Sequence, residues 1–101
     1  MKLETQKITI SEEALSQEVN GETVILDLQS ENYFGLDIMA TRIWQLLIEH
    51  GELQQVFAAL IDEFDVPENR LEKDLTKFIG QLKDAGLISI VIKSDHESSN
   101  L

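Results

Sequence analysis

Few residues of this chain could carry catalytic chemistry. Cysteine is absent from the 101 residues, which excludes a thiol nucleophile, a disulfide framework and a cysteine-based metal site. The two histidines are far apart: His50 falls at the end of a helical pattern, where the helix dipole stabilises it, and His96 lies in a polar tail. No HExxH, GxSxG or glycine-rich phosphate-binding motif occurs. The sequence therefore argues against an enzyme and predicts neither a metal nor a cofactor.

Acidic side chains are numerous, but their arrangement is typical of a solvated surface. Asp62, Glu63 and Asp65 lie opposite the apolar stripe of a predicted helix and lack the alternating ligands of an EF-hand loop. The chain has 19 acidic and 8 basic residues, a formal net charge of -11 that repels phosphate backbones and anionic lipids. Neither a signal peptide nor a membrane-spanning segment is recognisable. We expect a cytoplasmic protein that binds neither nucleic acid nor membranes.

The length and composition predict a single small domain. Apolar residues make up 43% of the chain, and one proline and five glycines are too few for a low-complexity sequence. Residues 1–93 are expected to form the domain, and the polar residues 94–101 to fray. The first third of the chain has the pattern of strands and the rest that of helices, which indicates the α+β class.

Three strands are predicted before residue 37. Alternating apolar residues at positions 15–19 end at Asn20-Gly21, a dipeptide that tolerates positive φ at both centres of a type I′ turn. Residues 22–28 return as the second strand, and a polar stretch then leads into a third short strand at residues 33–36. We expect an antiparallel meander in which the third strand is an edge.

Three helices and a short strand follow. Asp37 is the predicted N-cap of the first helix, Gly51 ends it, Pro67 lies in the first turn of the third and Gly86 ends the third. Residues 87–92 then form a C-terminal strand, and residues 7–10 are its candidate partner. The buried stripes follow helical spacing. They are Ala40, Ile43, Trp44, Leu47 and Ile48; Leu53, Val56, Phe57, Leu60, Ile61 and Phe64; and Leu71, Leu75, Phe78, Ile79, Leu82 and Ala85.

The third strand has an unusual composition for an exposed edge. Tyr33 and Phe34 are aromatic, and Gly35 lets another backbone approach closely. An apolar edge beside a helix that carries Phe78 suits β-augmentation, in which a guest peptide adds a strand. By alternation Tyr33 and Gly35 share one face and are the stronger binding candidates, whereas core packing is the better explanation for Phe34 and Leu36.

A strand hairpin with three helices also suits a winged-helix DNA reader. The third helix begins with Asn69, Arg70, Lys73 and Lys77 among three acids, a mixture that could contact DNA locally. The net charge of the domain opposes that use. A winged-helix transcription regulator and an acidic protein-interaction module therefore stand as alternatives to peptide binding.

The order of these features resembles the PqqD-like family of peptide chaperones, which are also called RiPP recognition elements. The name refers to ribosomally synthesised and post-translationally modified peptides. The resemblance covers about residues 14–90 and depends on the joint order of several short motifs. These are Asn20-Gly21-Glu22, Leu26-Asp27-Leu28, Tyr33-Phe34-Gly35-Leu36-Asp37, Ala40 to Trp44, Leu71 to Leu75 with Asp74, and Gly86-Leu87-Ile88.

The resemblance implies a winged-helix-like domain without catalytic activity, which binds the leader segment of a precursor peptide between the third strand and the third helix. Free-standing members serve pyrroloquinoline quinone, lasso-peptide or sactipeptide pathways. The tyrosine strand followed by the Trp44 helix is most similar to the lasso-peptide type, which implies a leader peptidase and a cyclase as partners. The C-terminal strand is longer and the surface more acidic than the family pattern. The implied peptide-binding positions are Tyr33, Phe34, Gly35, Leu36, Asp74, Leu75, Lys77, Phe78 and Gln81.

Overall fold

The structure is a computed structural model that describes residues 6–92, so the predicted polar tail lies outside the described residues. A three-stranded antiparallel sheet precedes three helices and a short C-terminal strand, which confirms the predicted α+β architecture. One further strand, β1, comes before the sheet. The elements are β1 (Gln6–Ile10), β2 (Ala14–Val19), β3 (Glu22–Asp27), β4 (Asn32–Leu36), α1 (Ile38–His50), α2 (Leu53–Glu63), α3 (Glu68–Asp84) and β5 (Ile88–Ile92).

Two turns connect the strands of the β2–β3–β4 sheet. Asn20 and Gly21 adopt φ values of 57° and 83°, the left-handed pair that a type I′ hairpin requires. The carboxylate of Asp27 organises the second turn: it accepts from the Gln29 amide at 3.1 Å and from the Ser30 hydroxyl at 2.8 Å. Only 4% of Asp27 is exposed, so these bonds satisfy a buried carboxylate that would otherwise be costly.

The second sheet joins the two ends of the described region. β1 pairs with β5 in antiparallel register, with Ile8 opposite Ile90, which confirms residues 7–10 as the partner of the C-terminal strand. The Ile8 amide also donates to the Gly51 carbonyl at 2.8 Å, and the Ser11 amide donates to the Leu87 carbonyl at 2.9 Å. These bonds attach the small sheet to the α1–α2 junction and to the end of α3.

The helices begin differently. The Asp37 carboxylate accepts from the Ala40 amide at 2.8 Å, so the predicted N-cap of α1 is confirmed. Pro67 precedes α3 rather than lying in its first turn, because its ψ of 138° is extended although its φ of -61° suits a helix. The third helix therefore begins one residue later, at Glu68.

The end of α3 is a Schellman motif. Gly86 takes a φ of 79°, its amide donates to the Lys83 carbonyl, and the Leu87 amide donates to the Leu82 carbonyl, both at 3.0 Å. A side chain at position 86 would be strained in this conformation. The motif turns the chain back sharply, so that β5 returns along the helices to reach β1.

The core lies between the helices and one face of each sheet. The amphipathic helices supply most of it, and Ile25, Val56, Leu60 and Leu75 are completely buried. At about 25 cal/mol per Å² of apolar surface removed from water, these side chains dominate the stability of so small a domain. The buried apolar residues are Ile8, Ile25, Leu36, Ile43, Trp44, Leu46, Leu47, Leu53, Val56, Leu60, Leu71, Leu75, Ile79, Leu82, Leu87 and Ile88.

The buried side of α1 differs from the predicted stripe. Ile48 is 57% exposed, whereas Leu46 and Thr41 are each 2% exposed. Thr41 lies on the same side of the helix as Ile48, two turns earlier, where its hydroxyl donates to the Leu36 carbonyl at 3.3 Å. The sheet thus covers the first turns of α1 but not the last. Leu46 is buried on the other flank because α1 packs on α2 as well as on β3 and β4.

Candidate functional site

β4 forms one open edge of the three-stranded sheet, since the strand order in that sheet is β2–β3–β4. The directions of the β4 backbone N–H and C=O groups can be worked out from the hydrogen bonds that β3 makes with β2. The Leu28 amide donates to the Glu13 carbonyl at 2.9 Å, so the backbone at position 28 is directed toward β2. Because these directions alternate along a strand, the backbone groups of Ile25 and Asp27 are directed toward β4.

The register between β3 and β4 then shows which backbone groups of β4 pair with β3 and which are directed to the open edge. Phe34 lies opposite Ile25, and Leu36 lies opposite Thr23, so Phe34 and Leu36 exchange hydrogen bonds with β3. The N–H and C=O groups of Tyr33 and Gly35 are directed away from the sheet. A guest strand would therefore meet two donors and two acceptors on this edge.

The side chains of β4 divide between the two faces of the sheet. Leu36 is 8% exposed and Phe34 is partly buried, and both pack toward the helices, as core packing predicted. Tyr33 is 71% exposed and belongs to the opposite face. Gly35 also belongs to that face, and the space where its Cβ would stand holds no atom of residues 6–92 within 4 Å. A guest backbone can therefore approach the edge at Gly35 without displacing a side chain.

α3 supplies the second wall of a groove beside this edge. Phe78, Gln81 and Ala85 recur at helical spacing on the side of α3 that faces β4, and Leu82 and Leu87 form the floor. The groove is open and has a volume of about 690 Å³. Its lining is mainly apolar and consists of Tyr33, Phe34, Gly35, Leu36, Asp37, Ala40, Phe78, Gln81, Leu82, Ala85 and Leu87.

The described part of the groove lining contains a single charged side chain, Asp37. One of its carboxylate oxygens, Oδ1, is occupied by the Ala40 amide as the N-cap of α1. The groove therefore has a carboxylate at the end of β4 and a neutral amide, Gln81, on the helix. Such a lining suits an extended peptide with apolar side chains at alternate positions.

The family described as Coenzyme PQQ synthesis protein D (PqqD) matches residues 22–88, a stretch that includes β3, both walls of the groove and all three helices. The chain belongs to the PqqD family. This result confirms the resemblance on which the site residues were predicted. The comparison with curated proteins gives no match.

Two solved structures are similar to this PqqD-family chain. The complex of TbiB1 with the TbiA(beta) leader peptide has a TM-score of 0.77 and 34% sequence identity, and the match covers 80% of this chain and 94% of that chain. A lasso peptide synthetase B1 complexed with the leader peptide has a TM-score of 0.73 and 24% identity, with 82% and 98% covered. The second likeness establishes the fold alone.

The structure brings together six of the nine predicted site residues around one groove. Leu75 is completely buried on the core side of α3, so its side chain packs in the core and does not line the groove. Asp74 lies one turn before Phe78 and is 3.9 Å from Arg70. Lys77 lines a separate shallow depression on α3. The six residues in the groove are Tyr33, Phe34, Gly35, Leu36, Phe78 and Gln81.

Five groove residues were not predicted as site residues. Asp37 was expected only to cap α1, and Ala40, Leu82, Ala85 and Leu87 only to fill the core or form a strand. The sequence carried one usable signal: Phe78 and Ala85 are seven residues apart and therefore share a helix face with Gln81. The contributions of Asp37 and Leu87 depend on tertiary packing.

Among residues 6–92, no group of three or more His, Asp or Glu side chains could hold a metal ion. Within the same range no helix is long and apolar enough to cross a bilayer. The Arg42 guanidinium lowers the pKa of Glu63 through a hydrogen bond from Nε to Oε1 at 2.8 Å, but this pair joins α1 to α2 outside the groove.

Proposed function

We propose that this chain is a recognition protein that binds the leader segment of a ribosomally synthesised precursor peptide. The observation that carries the proposal is the open β4 edge, where the backbone groups of Tyr33 and Gly35 lie beside an apolar groove. The leader adds as a fourth strand to β4 and places alternate side chains against Phe78 and Gln81. The similarity to TbiB1, a protein solved with its leader peptide, supports this assignment.

The energetics favour recruitment followed by release. Each backbone hydrogen bond to the edge contributes about 0.5–1.5 kcal/mol net. Apolar side chains that enter the groove contribute about 25 cal/mol for each Å² buried. Ordering a disordered leader costs about 2–5 kcal/mol, which offsets much of the gain. We therefore expect moderate affinity, high enough to recruit a precursor and low enough to let the product leave.

The chemistry belongs to partner enzymes in this proposal. A bound leader holds the rest of the precursor near an enzyme that contacts the same recognition protein, which raises the effective concentration of the substrate. In the lasso-peptide type, those partners are a leader peptidase and a cyclase. Since the precursor is made by ribosomes, we place the protein in the cytoplasm with its substrate.

Fluorescence polarisation of a labelled leader tests the proposal. The leader is taken from the small precursor reading frame nearest this gene and is titrated with the domain at low and high salt. We expect saturable binding that persists at high salt and weakens at least fivefold in Tyr33→Ala, while the melting temperature stays near that of the wild type. The same titration with labelled duplex DNA tests the alternative of a winged-helix regulator: DNA binding that collapses as salt rises, without leader binding, would favour a DNA reader. Unchanged leader affinity in Tyr33→Ala would contradict the placement on β4.

A further inference from the structure

The face of the β2–β3–β4 sheet that turns away from the helices is apolar and uncovered by residues 6–92. We call it the outer sheet face. Leu15, Leu26 and Tyr33 form one row across its three strands. They border a shallow depression of about 300 Å³ together with Val24 and Gln17. The outer sheet face consists of Leu15, Gln17, Val19, Glu22, Val24, Leu26, Leu28, Tyr33 and Gly35.

The orientation of β3 is the reverse of what hydropathy favours. Its helix-facing set includes Thr23 and Asp27, which are buried at 3% and 4% exposure. Its outward set includes Val24 and Leu28, which are 46% and 48% exposed. If β3 were shifted by one residue, its outward set would face the helices and its helix-facing set would face outward. The shifted strand would bury the more apolar set, yet the observed register leaves that set exposed. An antiparallel sheet with one solvated face ordinarily has polar residues there. The packing of the domain therefore does not account for this face.

The charges around the outer sheet face have one sign. Residues 8–41, which contain the whole sheet and its turns, include no lysine, arginine or histidine. Three of their seven acidic residues are used elsewhere: Asp27 is buried toward the helices, Asp37 caps α1, and Glu18 accepts a hydrogen bond from Gln45 of α1. Glu22 lies beside Val19 at one end of the face, and Glu13 pairs with Leu28 at the other. An apolar surface with acidic residues at both ends is complementary to an apolar surface bordered by lysine and arginine. A second copy of this chain would bring two acidic borders together, which disfavours self-association.

The outer sheet face is continuous with the leader-binding edge. Tyr33 connects them, because its backbone groups are directed to the open edge while its side chain belongs to the outer sheet face. Every second side chain of a strand added to β4 would extend the same face. A protein docked there would contact the domain and the leader together. It would therefore recognise the loaded domain better than the empty one.

We propose that the outer sheet face docks the enzyme that processes the leader-bound precursor, through an apolar contact surface bordered by lysine and arginine. The inference rests on the proposed function for the role of that enzyme. The surface itself follows from the exposed apolar rows, the one-sided charge and the shared Tyr33. The groove beside α3 holds the leader, and the adjacent sheet face holds the enzyme.

The test compares two exposed strand valines in different sheets; Val24 lies opposite Gly35, and Val91 lies opposite Lys7. Val24 is 46% exposed at the centre of the outer sheet face, and Val91 is 54% exposed on β5, in the other sheet. The wild type, Val24→Lys and Val91→Lys are titrated against the purified leader peptidase encoded nearest this gene, with and without the leader. The labelled leader is titrated against the same proteins separately. Circular dichroism and melting curves establish that each variant is folded.

We expect Val24→Lys to weaken peptidase binding at least tenfold and leader binding less than twofold, and Val91→Lys to change neither. The peptidase should bind the leader-loaded domain at least threefold more tightly, and higher salt should weaken that docking. If Val24→Lys unfolds, Leu15→Gln on the edge strand β2 replaces it. The proposal is overturned if the wild type does not bind the peptidase, if both lysine variants lose binding equally, or if sedimentation shows a wild-type dimer that Val24→Lys dissociates. A wild type that fails to bind the leader would contradict the proposed function instead.

Discussion

Both faces of the β2–β3–β4 sheet carry apolar residues, but one face is buried against the helices and the other is exposed. On the face toward the helices Ile25 is fully buried, and Thr23 and Asp27 are nearly so. On the outer sheet face Val24 lies next to Ile25 in the chain but keeps about half of its surface exposed. Hydrophobic residues on the first face stabilise the fold, whereas those on the second are available to partners. Stability and binding should therefore separate between neighbouring residues of one strand.

The largest expected effect compares Ile25→Ala with Val24→Ala. Truncation of fully buried Ile25 leaves a cavity, and we expect it to lower the free energy of unfolding by about 2–5 kcal/mol. Truncation of Val24 should cost about 0.5 kcal/mol or less, because half of the side chain is already in water. Urea denaturation of both variants measures the difference. Equal losses would mean that both faces are covered in solution.

The next effect separates the edge of β4 from its hydrogen-bonded interior. Gly35→Pro removes an N–H that is directed away from β3, so the sheet should tolerate it while a guest strand loses a donor and meets the proline ring. We expect leader affinity to fall at least tenfold and the melting temperature to change little. Gly35→Ala retains the N–H and fits the open space at that position, so it serves as the matched control.

Phe34→Pro completes that comparison, because the Phe34 amide is directed toward β3. This substitution should destabilise the sheet itself, because it removes a ladder hydrogen bond and leaves a β3 carbonyl group without its partner, at a cost of about 1–3 kcal/mol. If Gly35→Pro melts as early as Phe34→Pro, the assignment of backbone directions on β4 is wrong. If both fold normally, the β3–β4 pairing is weaker than the register indicates.

Local patterns were enough to predict most of the fold. The Asn20-Gly21 hairpin, the Asp37 cap and the Gly86 helix end depend on a few neighbouring residues, and the structure confirms each of them. The apolar stripes located all three helices. The pairing of residues 7–10 with the C-terminal strand was also predictable, since both segments are short, β-branched and otherwise unpaired.

The features that local patterns did not predict depend on packing between elements that are distant in sequence. Ile48 continues the stripe of α1, but it is 57% exposed because residues 6–92 leave that side of the last helical turn uncovered, whereas Leu47 in the same turn is buried. Leu75 and Phe78 are three residues apart on α3, yet only Phe78 lines the groove. The rotation of α3 about its axis determines which of the two side chains faces the core, and that rotation depends on tertiary packing. The direction of β3 was not predictable from hydropathy either, since its more apolar set faces outward.

A smaller effect should define the limit of the groove on α3. Gln81 and Lys77 are both exposed and lie one turn apart, but only Gln81 lines the groove. We expect Gln81→Ala to weaken leader binding about threefold, near 0.6 kcal/mol, as for one modest polar contact. Lys77→Ala should leave the affinity unchanged at high salt. Polarisation titrations at high salt measure both, and a greater loss in Lys77→Ala would place the leader further around the helix.

The smallest effect concerns an ion pair remote from both faces of the sheet. The Arg42 guanidinium hydrogen-bonds to Glu63 and holds the pKa of that carboxyl below its ordinary value. A lowered folded-state pKa means that the stabilisation is present above the unfolded pKa of about 4.3. It is lost as the pH falls through the folded-state value. The two side chains are 35% and 34% exposed, so screening by water limits the contribution to about 0.2–1 kcal/mol.

Glu63→Gln and Asp62→Asn isolate this contribution, because each removes one negative charge from α2 but only the first removes the carboxylate that Arg42 contacts. At pH 7 we expect Glu63→Gln to be less stable than Asp62→Asn. The difference should shrink as the pH falls below the unfolded pKa and should disappear once the pH is below the lowered folded-state pKa of Glu63, where the carboxyl group that Asp62→Asn retains is protonated. Leader affinity should be the same in both, since the pair lies outside the groove. Urea denaturation across pH measures the first quantity and polarisation the second. A pH-independent difference would mean that Glu63 stabilises the α1–α2 junction through packing rather than through its charge.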